Sequence, residues 1–296
     1  MPPLRRWARA SGVAVSPIIH ASLSLARRID LSEIGFCAVG SRAGEPGGAD
    51  TLLVGGGRAI CGPLGAPFNK VLGLGLGADV SDADLDAIDE FYDAHESPAQ
   101  IELCPLAVSG LPARLASRGY VIQGFENQLV LGLEDFDGGD HQSFGAATTF
   151  SIAATATTVD ADAWIGAVSA GFAAGEHPAD GDIFEVTPEF RDAMRGFQHP
   201  SMALYLARDG EHAVGGGASY IFDGVLGLTG TATVPAHRGR GVMHAVVRRM
   251  LHDARGRADL AMATTEPGSR SQRTFERFGF RVVYTRAILV RPFQAR

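Results

Sequence analysis

An α/β (α+β) fold of two similar halves is predicted by three features of this 296-residue chain. Asp209-Gly210 and Asp223-Gly224 each separate apolar, β-prone runs, the short-range sign of consecutive hairpins, so three antiparallel strands follow one another. Directly after them, Thr231 to Leu251 reads as a strand, a glycine-rich turn and an amphipathic helix. Finally, Val71-Leu-Gly-Leu74 recurs as Val225-Leu-Gly-Leu228, and each copy is followed by a polar stretch, a helix, a strand, a short helix, an aromatic after glycine and closing strands. The boundary falls in the acidic, glycine-rich loop Glu134 to His141, which divides the chain into 1–140 and 141–296.

Taken in order, Ala21 to Arg27 opens a strand or a helix, and Asp30 to Ala38 reads as a helix with an acidic cap. Arg42 to Asp50 is loop, followed by strands at Thr51–Val54 and Val71–Leu76 that their glycines weaken. Ser81 caps a helix whose apolar face is Leu85, Ile88, Phe91 and Tyr92, and Gln100 to Leu106 is the next strand. A short helix from Leu111 stops at Gly119, and β-prone runs occupy Tyr120–Ile122 and Gln128–Leu133.

The second half opens with β-prone Thr148 to Ala154 and a helix after Asp160 that spaces Trp164, Val168 and Phe172 by four. Thr187-Pro188 starts a helix running to about Phe197. After the three hairpin strands come the turn Arg238-Gly-Arg-Gly241 and a helix with Met243, Val246, Val247, Met250 and Ala254 on one face, which Gly256 ends. Leu260–Thr265 is a strand, Ser269 with Gln272 caps a short helix, and Arg281–Val290 is the last strand.

In the turn, Gly239 and Gly241 let backbone N–H groups approach an anion, and the following helix aims its positive end at the same place. Neither G-x-x-x-x-G-K-(S/T) nor a strand-linked G-x-G-x-x-G occurs. The turn instead resembles that of the GNAT superfamily of N-acetyltransferases, (Q/R)-x-x-G-x-(G/A), with Arg238 and Gly241 at the first and fourth positions and Met243 in place of the last small residue. Ser271 to Phe280, ending in Gly-Phe, resembles the family's second signature, and the likeness covers residues 148 to 293. It implies two GNAT-like domains, each a mixed, mainly antiparallel sheet flanked by helices. The first half has Asp79 to Asp84 where the turn should be, so it is degenerate and without an acyl-CoA site.

The resemblance further implies acetyl-CoA, or another acyl-CoA, as co-substrate, held by Thr233, Val234, Arg238, Gly239, Arg240, Gly241, Val242, Met243 and Ser271, with the pantetheine arm shifted by Met243. The second substrate is an amine of a small molecule or peptide. The family's proton-donating tyrosine corresponds to Phe275, which has no proton to give, and its asparagine to Gly268. Glu266 is the chosen base, with Tyr284, Glu176, His177 and Glu185 as other acid/base candidates and His237 facing solvent or phosphate. The alternative is a non-catalytic acyl-CoA-binding or sensing module, and a third reading is a structural pair with no ligand.

Composition narrows the partners. A net charge of -7 argues against nucleic acid, and no apolar stretch is long enough to span a bilayer. Three cysteines without C-x-x-C spacing favour a reducing compartment, read as the cytoplasm, and the nine histidines form no H-x-x-x-H, so no metal is indicated. An oligomer is left open.

Overall fold

Between the last two hairpin strands, Asp223 and Gly224 both take positive φ, 48° and 72°, the backbone that a tight two-residue turn demands. That turn and its neighbour at Gly210 (φ 60°) fold β7 (Met202–Asp209), β8 (His212–Phe222) and β9 (Val225–Thr233) into the expected antiparallel meander. The computed structural model describes residues 19–42, 48–62, 66–136, 150–154, 158–175 and 185–294.

Among the described residues the strands form one continuous sheet of eleven, in the order β1-β2-β3-β4-β11-β5-β10-β9-β8-β7-β6. Its remaining strands are β1 (Asp50–Val54), β2 (Gly57–Cys61), β3 (Lys70–Leu72), β4 (Ala99–Leu103), β5 (Val121–Gly132), β6 (Ser151–Ala154), β10 (Leu260–Thr265) and β11 (Arg281–Arg291). The pairing reads alike from both sides. β3 runs parallel to β4 through Val71 and Ile101, and β9 runs parallel to β10 through Val225 and Leu260, so the two Val-Leu-Gly-Leu segments occupy corresponding places. The closing strands cross over: β11 pairs with β4, and β5 pairs with β10. Mainly antiparallel pairing with two parallel contacts makes the sheet mixed, as expected.

Helices cover both faces. On one lie α1 (Leu23–Gly40), α4 (Thr158–Ala173) and α5 (Pro188–Arg195), packed through Ile34, Cys37, Trp164, Val168 and Met194 onto Ile60, Leu204, Leu206 and Ala218. On the other lie α2 (Asp82–Ala94) and α3 (Leu111–Ser117) over β1–β4, and α6 (Val242–Asp253) and α7 (Arg270–Arg277) over β5–β10. The core face of α6 is Val242, Val246, Val247, Met250 and Leu251, each contributing about 1.5–3 kcal/mol on burial. Thus Val242 and Leu251 replace Met243 from the expected face, and the helix ends at Asp253 with Ala254 as its C-cap, before Gly256.

Other differences have local causes. Ser22, not Asp30, caps α1: its hydroxyl accepts from Leu25 N–H, and the helix runs through what the sequence divides into two segments. Asp30 is therefore interior, 1% exposed. The runs Tyr120–Ile122 and Gln128–Leu133 join into the single strand β5, because β11 and β10 pair with it on either side. β3 is shortened to three residues where Gly73 and Gly75 turn the chain at φ 74° and 73°. β2 was not anticipated. Most of the boundary loop Glu134 to His141 lies outside the described residues.

One buried charge cluster fastens the crossover. Arg286 of β11, 0% exposed, donates to Asp30 and Glu33 (2.5 Å) of α1 and to Glu102 (3.1 Å) of β4. Lys70 of β3 joins it, 2.6 Å from Glu102 and 3.4 Å from Glu33. Removing one member of a buried ion cluster strands the rest in a poor solvent, at about 3–5 kcal/mol. Arg286→Met is accordingly expected to lower the unfolding free energy by about that amount in urea denaturation; a loss below about 1 kcal/mol would mean that the cluster does not hold the crossover.

Candidate active site

β9 and β10 stay paired only from Val225 to Leu228. Beyond that, Gly230 (φ 59°) sits at a register shift on the β8 side, a bulge that bends β9 away from β10. The parted strands leave backbone N–H and C=O groups without ladder partners on their facing edges. A cavity of about 1340 Å³ occupies this region, lined by Gly227 to Thr233 on one side and Met262, Thr264, Thr265 and Glu266 on the other. Its walls include α6 and α7 residues from one face of the sheet and α1 residues from the other, so it runs through the gap.

At the α6 end lies the glycine turn. Gly239 and Gly241 have φ of 75° and 84°, and a Cβ on Gly239 would meet nothing within 4 Å. Gly241 is the N-cap of α6 and offers no side chain to the first-turn N–H groups, so the turn and the helix end present donors to the cavity. Arg238 is engaged elsewhere: its guanidinium donates to the carbonyls of Gly171 (2.9 Å), Ala174 (2.9 Å) and Gly175 (2.5 Å) at the end of α4. It closes that helix while lining the cavity. Arg240 bonds Asp209 at 3.1 Å and lies over the Phe150 ring.

At the α1 end the wall is acidic and aromatic. Glu33, Lys70 and Glu126 line it, with Phe36, Phe68, Phe197 and Tyr220. Phe36 stacks on Tyr220 with centroids 4.7 Å apart and meets Phe68 edge-on at 5.5 Å. Gly227 makes room for Tyr220, since a Cβ there would collide with the phenol. Glu126 stands directly across the β5–β11 ladder from Arg286, and its Oε2 is buried without a hydrogen-bond partner. Burial, then the nearby Glu102 and Glu33, push its carboxyl up to about 7 against the pull of Lys70 and Arg286. Burial also raises Asp30, whereas Glu33, which burial alone would raise, is held low by Arg286 and Lys70.

Of the residues expected from sequence, Thr233, Arg238, Gly239, Arg240, Gly241, Val242, Met243, Ser271 and Glu266 come together in the cavity wall. Val234 does not line it; it packs on the core beneath α6, and its N–H donates to Val214. Phe275 is a buried part of the wall, 1% exposed. Glu266 is exposed at the rim, its carbonyl accepting from Ser269 N–H. His237 lies in the wall, 3.6 Å from Asp209. Tyr284 is buried away from the cavity with its hydroxyl donating to Asp30 at 3.3 Å, and burial raises its pKa, so it is a partner of the cluster. Glu185 is exposed and outside the wall, and Glu176 and His177 lie outside the described residues.

Glu33, Lys70 and Glu126 were not anticipated. A signal existed for Glu126: Glu126-Asn-Gln128 stands between apolar Phe125 and Leu129-Val-Leu131, and Asn127 and Gln128 are both buried. Three consecutive polar residues inside a central strand must find partners or a cavity. Among the described residues no group of three or more metal-ligating side chains is placed to hold a metal, and no helix is long and apolar enough to cross a membrane.

The comparisons with known proteins bear on this geometry. Residues 173–280 match the Acetyltransferase (GNAT) family. A GCN5-related N-acetyltransferase from Kribbella flavida is similar over 90% of this chain and 96% of its own, with a TM-score of 0.65 and 19% identity. A tandem GNAT protein from the clavulanic acid biosynthesis pathway is similar over 88% of both chains, with a TM-score of 0.59 and 14% identity. A conserved protein of unknown function from Staphylococcus epidermidis covers 83% of this chain and 95% of its own at a TM-score of 0.59 and 8% identity. No curated protein sequence matches. At these identities the structures share the GNAT fold, and together with the family match they support acyl transfer in general.

Glu126 gives a test that needs no substrate. Folding raises its carboxyl from an ordinary 4.5 to about 7, so the native state holds this proton more tightly than the unfolded chain. The resulting stability is present below the unfolded value and is lost as pH rises through about 7. The loss amounts to about 3 kcal/mol. Glu126→Gln, neutral throughout, should therefore be more stable than the wild type at about pH 8, by up to about 3 kcal/mol, and gain little near pH 4. Urea titrations at the two pH values check this, and an equal effect at both would contradict the shifted carboxyl.

Proposed function

We propose that this chain is an acyl-CoA-dependent N-acyltransferase that moves an acetyl or other short acyl group to an amine of a small molecule or peptide. The observation that carries the reading is the cavity through the parted sheet, which joins a turn suited to a pyrophosphate on one face to an acidic, aromatic chamber on the other. The residues present fit coenzyme A. Gly239 has open space beside it, the N-terminus of α6 points at the turn, and the unpaired edge of β10 offers amide partners to an extended pantetheine. Bound there, acyl-CoA supplies the thioester carbonyl that an amine attacks.

In this reading Thr233, Gly239, Arg240, Gly241, Val242, Met243 and Ser271 surround the cofactor, and Arg238 shapes the turn by tying it to α4. The chain comprises two GNAT-like units, 1–140 and 141–296, with closing strands exchanged, which the matching order of pairing from the two sides of the sheet supports. Only the second unit takes acyl-CoA. In the first, the corresponding helix α2 has its N-terminus filled from within: Ser81 accepts from Asp84 N–H while the Asp84 carboxylate accepts from Ser81 N–H at 2.7 Å. Asp82 adds a further negative charge. Buried, unbridged cysteines suit a reducing compartment such as the cytoplasm.

A second reading, acyl-CoA binding without transfer, is favoured by one observation: Phe275 fills the place of the family's phenol. Thiol release from acetyl-CoA with 2-phenylethylamine, spermidine and a tripeptide with a free N-terminus separates the two. Release with any of them supports transfer, and calorimetric binding without release supports the alternative. Gly239→Asp against Gly239→Asn tests the turn, since both side chains tolerate the left-handed backbone and differ by one charge. Aspartate is expected to weaken coenzyme A at least about tenfold relative to asparagine, about the worth of one charge-assisted contact; equal affinities would remove the pyrophosphate from this turn.

A further inference from the structure

We propose that Glu126, brought by the exchanged strand β5, is the catalytic residue that takes the proton from the acceptor amine, and that the acceptor arrives as an ammonium ion completing the charge of the cluster behind it. This rests on the N-acyl-transfer reading. The cluster is short of cations: Asp30, Glu33, Glu102 and Glu126 are four carboxylates, and Arg286 and Lys70 are two positive groups. The cations are already bound to the other three, whereas Glu126 Oε2 is left without a partner. A buried carboxylate in that position is costly until an external cation or a proton reaches it.

The cavity is the route by which one can. Glu126 and Glu33 line it, as do Phe36, Phe68, Phe197 and Tyr220, aromatic rings whose faces attract an ammonium and whose apolar surface suits the body attached to it. The groups that set the titration of Glu126 are Glu33 from α1, Lys70 from β3, Glu102 from β4 and Arg286 from β11. Its carboxyl near 7 is matched to accepting a proton at neutral pH and returning it to water. Glu266, by contrast, is exposed at the rim.

In the step, a proton passes from the ammonium nitrogen to the Glu126 carboxylate, directly or through one water. The freed lone pair attacks the carbonyl carbon of the acyl thioester. A C–N bond forms, the C–S bond breaks, and the sulfur departs with the bonding pair as a thiolate. The nitrogen's second proton goes to that thiolate, giving an amide and a free thiol. Glu126 then loses its proton to solvent.

The test is thiol-release kinetics of the full chain with acetyl-CoA and whichever of the three amines above is turned over fastest, from acid to alkaline pH. Calorimetry with coenzyme A runs alongside. The wild type should lose kcat/KM below about pH 7 through a single protonation. Glu126→Gln should lose about 10²–10⁴-fold in kcat at neutral pH, regain rate as the pH approaches the amine's own pKa, and bind coenzyme A as the wild type does. Glu126→Asp, which keeps a carboxylate one methylene shorter, should retain part of the rate and the acidic limb. The inference is overturned if Glu126→Gln keeps the wild-type rate and pH profile, or if the neutral-pH loss falls on Glu266→Gln instead. Wild type that binds coenzyme A but releases no thiol with any of the amines would overturn the N-acyl-transfer reading, and this inference with it.

Discussion

The buried guanidinium of Arg286 is the interaction on which the architecture turns. It lies on the closing strand of the second half and grips α1 and β4 of the first, through Asp30, Glu33 and Glu102. Such a group is expensive to desolvate, and a whole cluster replaced by hydrophobic residues of equal volume would often be as stable, although removal of one member alone is not tolerated. Its effect here is on position. An ion cluster with fixed donors accepts only one register, so β11 is held between β4 and β5 and the exchange of closing strands is specified. Asn127 reinforces the same arrangement, accepting from Thr285 of β11 at 2.6 Å and donating to Gln272 of α7 at 3.2 Å.

That crossover is what lets one cavity draw on both halves. β5 carries Glu126 into the neighbourhood of β10, and α1 and β3 supply Glu33, Phe36 and Lys70 to a wall that the second half alone would leave open. The other end depends on local backbone: the Gly230 bulge parts the strands, and Arg238 draws the turn against the carboxyl end of α4. Stability is given up for this arrangement at Glu126, whose carboxyl is held in an environment that disfavours its charge. A residue kept at such a cost, lining a cavity and with a buried oxygen that has no partner, is more readily understood as serving a ligand than as serving the fold.

How much of this could be read beforehand follows the range of the interactions. Features decided within a few residues were legible: the Asp-Gly hairpins, the Ser81 and Thr187 caps, the turn from Arg238 to Gly241 and the Gly119 stop. Features decided by contacts across the chain were not. Asp30 resembled a helix cap because its partner, Arg286, lies 256 residues away. β5 was divided in two because nothing local announces that β10 and β11 pair along its whole length. Glu266 stood out by adjacency to the cofactor signatures, whereas Glu126 lies in the other half and reaches the cavity only through the strand exchange. The repeat suggests two similar units but does not indicate that β11 pairs with β4 and β5 with β10, because periodicity records element order and not pairing.

In the proposed N-acyl transfer, the crossed sheet places Glu126 of the first half against the reacting amine in the α1-side chamber, with the cofactor's pyrophosphate at the Gly239–Gly241 turn. The most direct measurement is a crystal structure of the full chain with a bisubstrate conjugate, coenzyme A joined through its sulfur and an acetyl bridge to the nitrogen of 2-phenylethylamine. The account predicts the pyrophosphate on the Gly239–Gly241 turn and the conjugate's nitrogen within about 3 Å of the Glu126 carboxylate, or joined to it by one water. A nitrogen directed to Glu266 at the rim, or a pyrophosphate bound away from that turn, would contradict it.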